Sequence, residues 1–271
     1  MGAVNRRRRS RIDPLLQIAG GCLVGLVLLA LATLAYRAAD RPDALAVATA
    51  DPDVWSAIGI TFGSAALAVG LLALFGTPLA YLMARSSSRA LPLVEAIVDL
   101  PLVLPHTIAG LLVYLLFMRG GPLGGPLGAV GLSFEDAIPG IVAAMLFVGI
   151  PYYVDAARDG FAKVPVELEE VARTLGADRG AAFLRVALPL AARECLSGGV
   201  TAWGRAVGEF AAVVMIAYHP LVISTLIYTR FTQYGLADTV AVAIVLLVVC
   251  GGVLALLRRG ASRLWRPDAP V

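Results

Sequence analysis

Charge is scarce in this chain. Only 15% of its 271 residues are Asp, Glu, Lys or Arg, against about a quarter in a soluble domain. Lysine occurs once, at Lys163. A long chain this poor in charge could cover a water-facing surface only by heavy oligomerisation, and lipid is the simpler solvent. Cysteine is equally thin. Cys22, Cys195 and Cys250 are scattered, odd in number and without CxxC spacing, which argues against a disulfide framework or a zinc ribbon and leaves them as small packing residues. No His/Glu zinc helix and no catalytic dyad falls within an apolar run, so no catalytic residue and no metal ligand is assigned. No Walker motif occurs. Gly120, Gly121, Gly124 and Gly125 have no Lys-Ser/Thr pair after them and read as a flexible loop rather than a nucleotide site. The chain therefore cannot hydrolyse ATP by itself, and no cofactor is assigned to it. Internal repeats and low-complexity segments are also absent.

What is abundant is apolar. The residues AVILMFWYC make up 59% of the chain, and the mean hydropathy is +0.83. A membrane helix needs about 20 predominantly apolar residues. Six segments meet that need: Leu15–Tyr36, Ile58–Met83, Leu91–Phe117, Ile138–Val154, Ser197–Ala217 and Asp238–Leu257. The first exceeds the apolar core of a signal peptide, and Tyr36-Arg37 is a poor cleavage site, so it is expected to be retained. Gly76-Thr77-Pro78 should kink the second span, and Pro101 and Pro105 should break the third, because proline removes a backbone hydrogen bond.

The arginines give the orientation. With the N-terminus inside, the inner segments (the N-tail, Arg85–Arg89, Arg158–Arg193 and the C-tail) collect seventeen basic residues. The outer ones hold four: Arg37, Arg41, Arg119 and Arg230. Basic excess marks the cytoplasmic side, and one helix more or fewer would invert the pattern downstream. The expectation is an all-α integral membrane protein with about six transmembrane helices and both termini cytoplasmic. It divides into a basic N-tail (1–14), a six-helix domain (15–257) and a C-tail (258–271). The run Arg6–Arg9 flanks an apolar span and is read as facing lipid headgroups, not nucleic acid.

The longest polar interval, 158–193, has its own internal order. Pro165 can open a helix whose first turns carry Glu167, Glu169 and Glu170, acidic residues suited to the positive end of the helix dipole. Gly176 can end it in a left-handed conformation, and Asp178 can cap a second short helix. A helical hairpin is thus expected to project from the cytoplasmic face. Within it stand Glu170-Val171-Ala172, three residues ending in Thr174-Leu175, then Gly176, nine residues, and Val186-Ala187-Leu188-Pro189. This resembles the Glu-Ala-Ala, Gly, Ile-x-Leu-Pro motif of ABC importer permeases, with Val171 and Val186 as conservative departures. The likeness runs from about 55 to 257. Gly76–Arg85, Leu100–Gly110 and Arg205–Val213 are similar to the molybdate, tungstate and sulfate permeases. Ile227–Phe231 with Tyr234-Gly235-Leu236 is most similar to the molybdate/tungstate members.

The resemblance implies an ABC importer permease fold whose loop 158–193 carries a coupling helix that docks on an ATPase subunit. It also implies a homodimer with the translocation path at its axis. Two ATP-binding subunits would lie below and an extracytoplasmic oxyanion-binding protein above, all held in membrane lipid. The implied cargo is tungstate or molybdate, with sulfate or thiosulfate as the alternative. A stand-alone secondary transporter would leave the coupling motif without a purpose.

Arg205 and Glu209 stand one turn apart in the fifth span. A charge at mid-membrane costs about 3 kcal/mol on insertion scales and so tends to have a partner or a pathway role. The spacing allows an ion pair. Either the pair only packs the bundle, or Arg205 helps an oxyanion pass. His106, Thr107 and Thr201 join them as candidates for the path, since freed backbone near Pro105 can line water. His106 alone reads more simply as a histidine satisfied within the bundle.

Overall fold

The apolar segments are helical, and no strand occurs among the described residues. A computed structural model of the chain describes residues 14–264. The basic N-tail apart from Pro14, and residues 265–271 of the C-tail, lie outside the described residues. In chain order the helices are α1 (Pro14–Ala39), α2 (Pro42–Ala50), α3 (Pro52–Leu71), α4 (Thr77–Arg85), α5 (Leu91–Val103), α6 (His106–Phe117) and α7 (Gly124–Ala129). There follow α8 (Ile138–Ala162), α9 (Val166–Thr174), α10 (Arg179–Ala182), α11 (Leu188–Val207), α12 (Ala211–Ile216), α13 (Ile223–Tyr234) and α14 (Leu236–Leu264).

Helix α8 organises the rest. It packs against α3, α4, α5, α6, α11 and α12, and 61% of its apolar window is buried, against 17% for α14 and none for α1. Small residues allow the closest approach, as is common between membrane helices. A Cβ on Gly198 of α11 would lie 2.8 Å from the Ala156 Cβ of α8. The first core cluster joins α3, α6, α8, α11 and α12 around Met145, Val148 and Val213. A second, around Tyr153 and Phe161, joins α8 to α4, α5 and α11. A third lies between α2, α3, α13 and α14.

Among the described residues, four helices are long and apolar enough to cross a membrane: α1, α3 continued into α4, α8 and α14. The pair α5 and α6 qualifies together but bends by 114° at Leu104-Pro105. The expected break at Pro105 is therefore a sharp corner, not a kink. The expected fifth span, 197–217, is not one helix. It is divided between α11 and α12, with Gly208, Glu209 and Phe210 at the break. Arg193, Glu194 and Arg205 make α11 more polar than a plain membrane helix.

Two prolines leave the same signature. A π-helical turn, Leu72–Gly76, precedes Pro78, and another, Phe183–Ala187, precedes Pro189. Proline cannot donate to the carbonyl four residues back, and a widened turn is one way to absorb that loss. The interval 38–54, which reads as polar loop, contains α2. At its end Asp51 accepts from the Asp53 amide at 2.9 Å and pairs with Arg230 of α13. Burial pushes the Asp51 carboxyl up, but that amide and the Arg230 guanidinium outweigh it and hold the carboxyl below its ordinary range.

Candidate functional site

Two groups of charged residues stand out, one in the hairpin between α8 and α11 and one where α6 meets the break between α11 and α12.

The hairpin forms as its residues dictate. Pro165 sits at the N-cap of α9. Gly176 adopts φ +97 and donates its N–H to the Arg173 carbonyl at 3.0 Å, while Ala177 donates to the Ala172 carbonyl at 3.0 Å. These two bonds are the Schellman ending of a helix, which favours glycine at this position. Asp178 Oδ1 accepts from the Ala181 amide at 2.6 Å and caps α10. Of the motif residues, Glu170, Thr174 and Leu175 are exposed, Leu175 to 83%. Ala172 and Leu188 are half-buried, and Pro189 lies in the first turn of α11.

Beneath the hairpin lies a contact that sequence reading missed. Glu169 is the one buried residue of α9. Its Oε1 accepts from Arg85 Nε at 3.0 Å and Nη2 at 2.6 Å, and its Oε2 accepts from the Tyr81 hydroxyl. The same guanidinium donates to the Phe161 and Val164 carbonyls, each at 3.0 Å. Tyr81, Phe161 and Phe183 pack ring to ring around it, with centroids 4.8–5.9 Å apart. The sequence signals for this cluster were an arginine just after the second span and an acidic residue near the start of the hairpin helix, with nothing to join them.

In the second group Glu209 is the centre and is 1% exposed. Its Oε2 accepts from Arg205 Nη2 at 2.7 Å and lies 3.8 Å from His106 Nε2. Its Oε1 accepts from the Ala212 amide at 2.8 Å, and its backbone carbonyl accepts from Ser224 Oγ at 2.9 Å. One carboxylate thus satisfies a freed amide at the start of α12 and an arginine near the end of α11, and it lies near the first residue of α6. The helices touch closely here: a Cβ on Gly110 would lie 2.7 Å from the backbone of Ala212. Of the five path candidates, the structure brings His106, Arg205 and Glu209 together. Thr107 is exposed beside His106. Thr201 is also exposed, and its hydroxyl is bonded to the Ser197 carbonyl at 3.0 Å. Among the described residues, no group of three His, Cys, Asp or Glu side chains is placed to hold a metal ion.

Residues 76–262, which contain both groups, match the family described as the binding-protein-dependent transport system inner membrane component. The chain belongs to this family of ABC importer permeases. The permease is 35% identical over 239 residues to the molybdate/tungstate transport system permease protein WtpB of Thermococcus kodakarensis, covering 88% of this chain and 92% of that one. It is 31% identical over 251 residues to a probable sulfate transport system permease protein of Anthoceros angustus, covering 90% and 86%. Its fold is that of a bacterial ABC transporter involved in the import of the acidic polysaccharide alginate. The TM-score is 0.71 at 20% identity, and the match covers 93% of the permease and 96% of that chain. The permease is thus a multi-pass membrane protein.

Proposed function

We propose that this chain is the transmembrane permease subunit of an ATP-driven importer for a tetrahedral oxyanion, tungstate or molybdate. The observation that carries the class is the hairpin. A short helix with an exposed rim, closed by a left-handed glycine, stands in the one long polar interval of a family member. The cargo follows from the Thermococcus kodakarensis relative, whose name carries molybdate and tungstate. Sulfate is the second reading, because a sulfate permease is similar over nearly the same length.

The chain functions as a homodimer with two ATP-binding subunits on the cytoplasmic side and an extracytoplasmic oxyanion-binding protein opposite. Both termini are cytoplasmic, in keeping with the arginine bias. ATP is bound by the partner subunits. Closure of their dimer displaces the motif Glu170–Gly176, and the bundle alternates its access in response. His106, Thr107, Thr201, Arg205 and Glu209 contribute to the path. Glu209 already neutralises Arg205, so the path offers a dianion hydrogen bonds and a partly compensated charge rather than a tight site. That suits transit, since an ion must leave as readily as it enters.

The test is ATP-dependent uptake in vesicles holding permease, ATPase and binding protein, with labelled tungstate, molybdate and sulfate supplied in turn. Accumulation of tungstate or molybdate is expected. Uptake of sulfate alone would select the second reading. Uptake of a sugar or amino acid with no response to any of the three would overturn the cargo.

A further inference from the structure

We propose that Arg85 is a positioning residue for energy coupling: it ties the coupling helix α9 to α4 and to the end of α8, so that movement of α9 reaches helices it does not adjoin in sequence. This rests on the permease function proposed above.

Apart from its packing on the neighbouring α10 and on the π-helical turn Phe183–Ala187, helix α9 has little else to hold it. It spans nine residues, too short to persist on its own, since isolated helices under about 12 residues are marginal. Its apolar residues do not anchor it either, because Val166, Leu168 and Val171 are 45–56% exposed. The anchor is a charged one. The side chains of Glu169 and Arg85 are only 8% and 16% exposed. A partly dehydrated ion pair with paired hydrogen bonds holds its geometry more firmly than a surface pair does.

The guanidinium is well matched to this place. It offers five N–H donors in a fixed fork. Here it meets one carboxylate oxygen twice, the Phe161 carbonyl in the last turn of α8 and the Val164 carbonyl in the link to α9. The Phe161 carbonyl carries the partial negative charge of a helix C-terminus. Arginine and glutamate are 84 residues apart in the chain. The backbone passes a displacement of α9 to α8 on one side, and backbone together with packing passes it to the turn before α11 on the other. Arg85 and Tyr81, both on α4, add a route into the helix that continues from α3. Lysine, with one ammonium, cannot reach the carboxylate and both carbonyls in the same way.

The experiment measures anion uptake and ATP hydrolysis in the same proteoliposomes, with permease, ATPase and binding protein all present. Glu169→Gln and Arg85→Lys are expected to assemble and to hydrolyse ATP as the wild type does, while anions moved per ATP fall about tenfold, as loss of an ordinary coupling energy would give. Tyr81→Phe removes one hydrogen bond without a charge, and a smaller fall in the same ratio is expected. Uptake and hydrolysis that fall together, with the ratio unchanged, would show a merely structural role and overturn the proposal. Should Glu169→Gln or Arg85→Lys fail to assemble, Tyr81→Phe decides, and a wild-type ratio in that variant overturns it. Wild-type vesicles without any ATP-dependent uptake would refute the permease reading itself, a result distinct from a normal wild type with unaltered variants.

Discussion

The permease holds two buried glutamates, each paired with an arginine, and they are built in opposite ways. Arg205 and Glu209 are four residues apart and meet across the end of a single helix. Arg85 and Glu169 are 84 residues apart and meet only because three elements converge. The first pair closes a local defect: Glu209 supplies an acceptor where the backbone breaks between α11 and α12. The second joins separate bodies. Similar chemistry therefore serves repair in one place and linkage in the other, and the difference lies in what each pair spans.

The largest expected effect falls on the hairpin between α8 and α11. Gly176→Pro forces a positive φ into the negative range and removes the N–H that reaches Arg173, a change worth about 3 kcal/mol or more within a helix. Membrane insertion should be normal, while ATPase retention on pull-down or anion uptake is lost. Unchanged transport would mean that the hairpin does no linking. Next comes the local pair. Glu209→Ala leaves a guanidinium unpaired near a buried site and should cost about 3–5 kcal/mol. Combining it with Arg205→Ala should cost less than the sum of the two single changes. Thermal melting of the purified protein measures the cycle, and strict additivity would deny the pairing.

A smaller effect is expected from Gly110→Ala, which would push α6 from the backbone of α12. Overpacking of this kind costs about 1–3 kcal/mol, read as a lower melting temperature. Gly120→Ala, with open space around it, serves as the unaffected control. The smallest belongs to a third pair, Asp51 and Arg230, which links α13 to the turn before α3. Arg230→Ala should destabilise by up to about 1 kcal/mol at neutral pH. The Asp51 carboxyl is held below its ordinary range when folded, so its contribution is complete above the unfolded value, about 3.9, and is lost as pH falls through the folded one. The gap between wild type and variant should therefore begin to narrow below about pH 4 and close as pH falls through the lower folded value. A gap that did not narrow at all on acidification would show that Arg230 acts through something other than Asp51.

What could be read in the sequence follows the same division between local and distant. Pro165, Gly176 and Asp178 announce their roles within a few residues, and each stands where its chemistry put it. Arg205 and Glu209 were legible as a pair because helical spacing alone brings them together. Glu169 was legible only as an acidic residue near a helix start. Its partner lies on another helix, and no local pattern names it. The segment 197–217 looked like one span by its overall apolar character. Its break depends on Glu209 turning back to the Ala212 amide, which composition does not show. Helix α13 was not evident either. Its residues include β-branched and aromatic side chains of modest helix propensity, and it is held by packing on α3, with the Ile223 amide bonded to Thr61 Oγ1 at 2.9 Å.

The widened turn before Pro78 also acts as a phase corrector. Ala68, Leu72, Gly76 and Ala80 are all buried, a stripe with steps of four. Three such steps take twelve residues, where an α-helix completes three turns in about eleven. On an unbroken α-helix the stripe would slide around the cylinder by a little over one residue, about 1.2, and its far end would turn away from α8. The π-turn takes up one residue without advancing the stripe, so both halves present their small side chains to the same neighbour. A helical wheel drawn through 58–83 with one pitch would put the two halves out of register. The proline that widens the turn thus also sets which side of α4, the helix that carries Tyr81 and Arg85, looks inward.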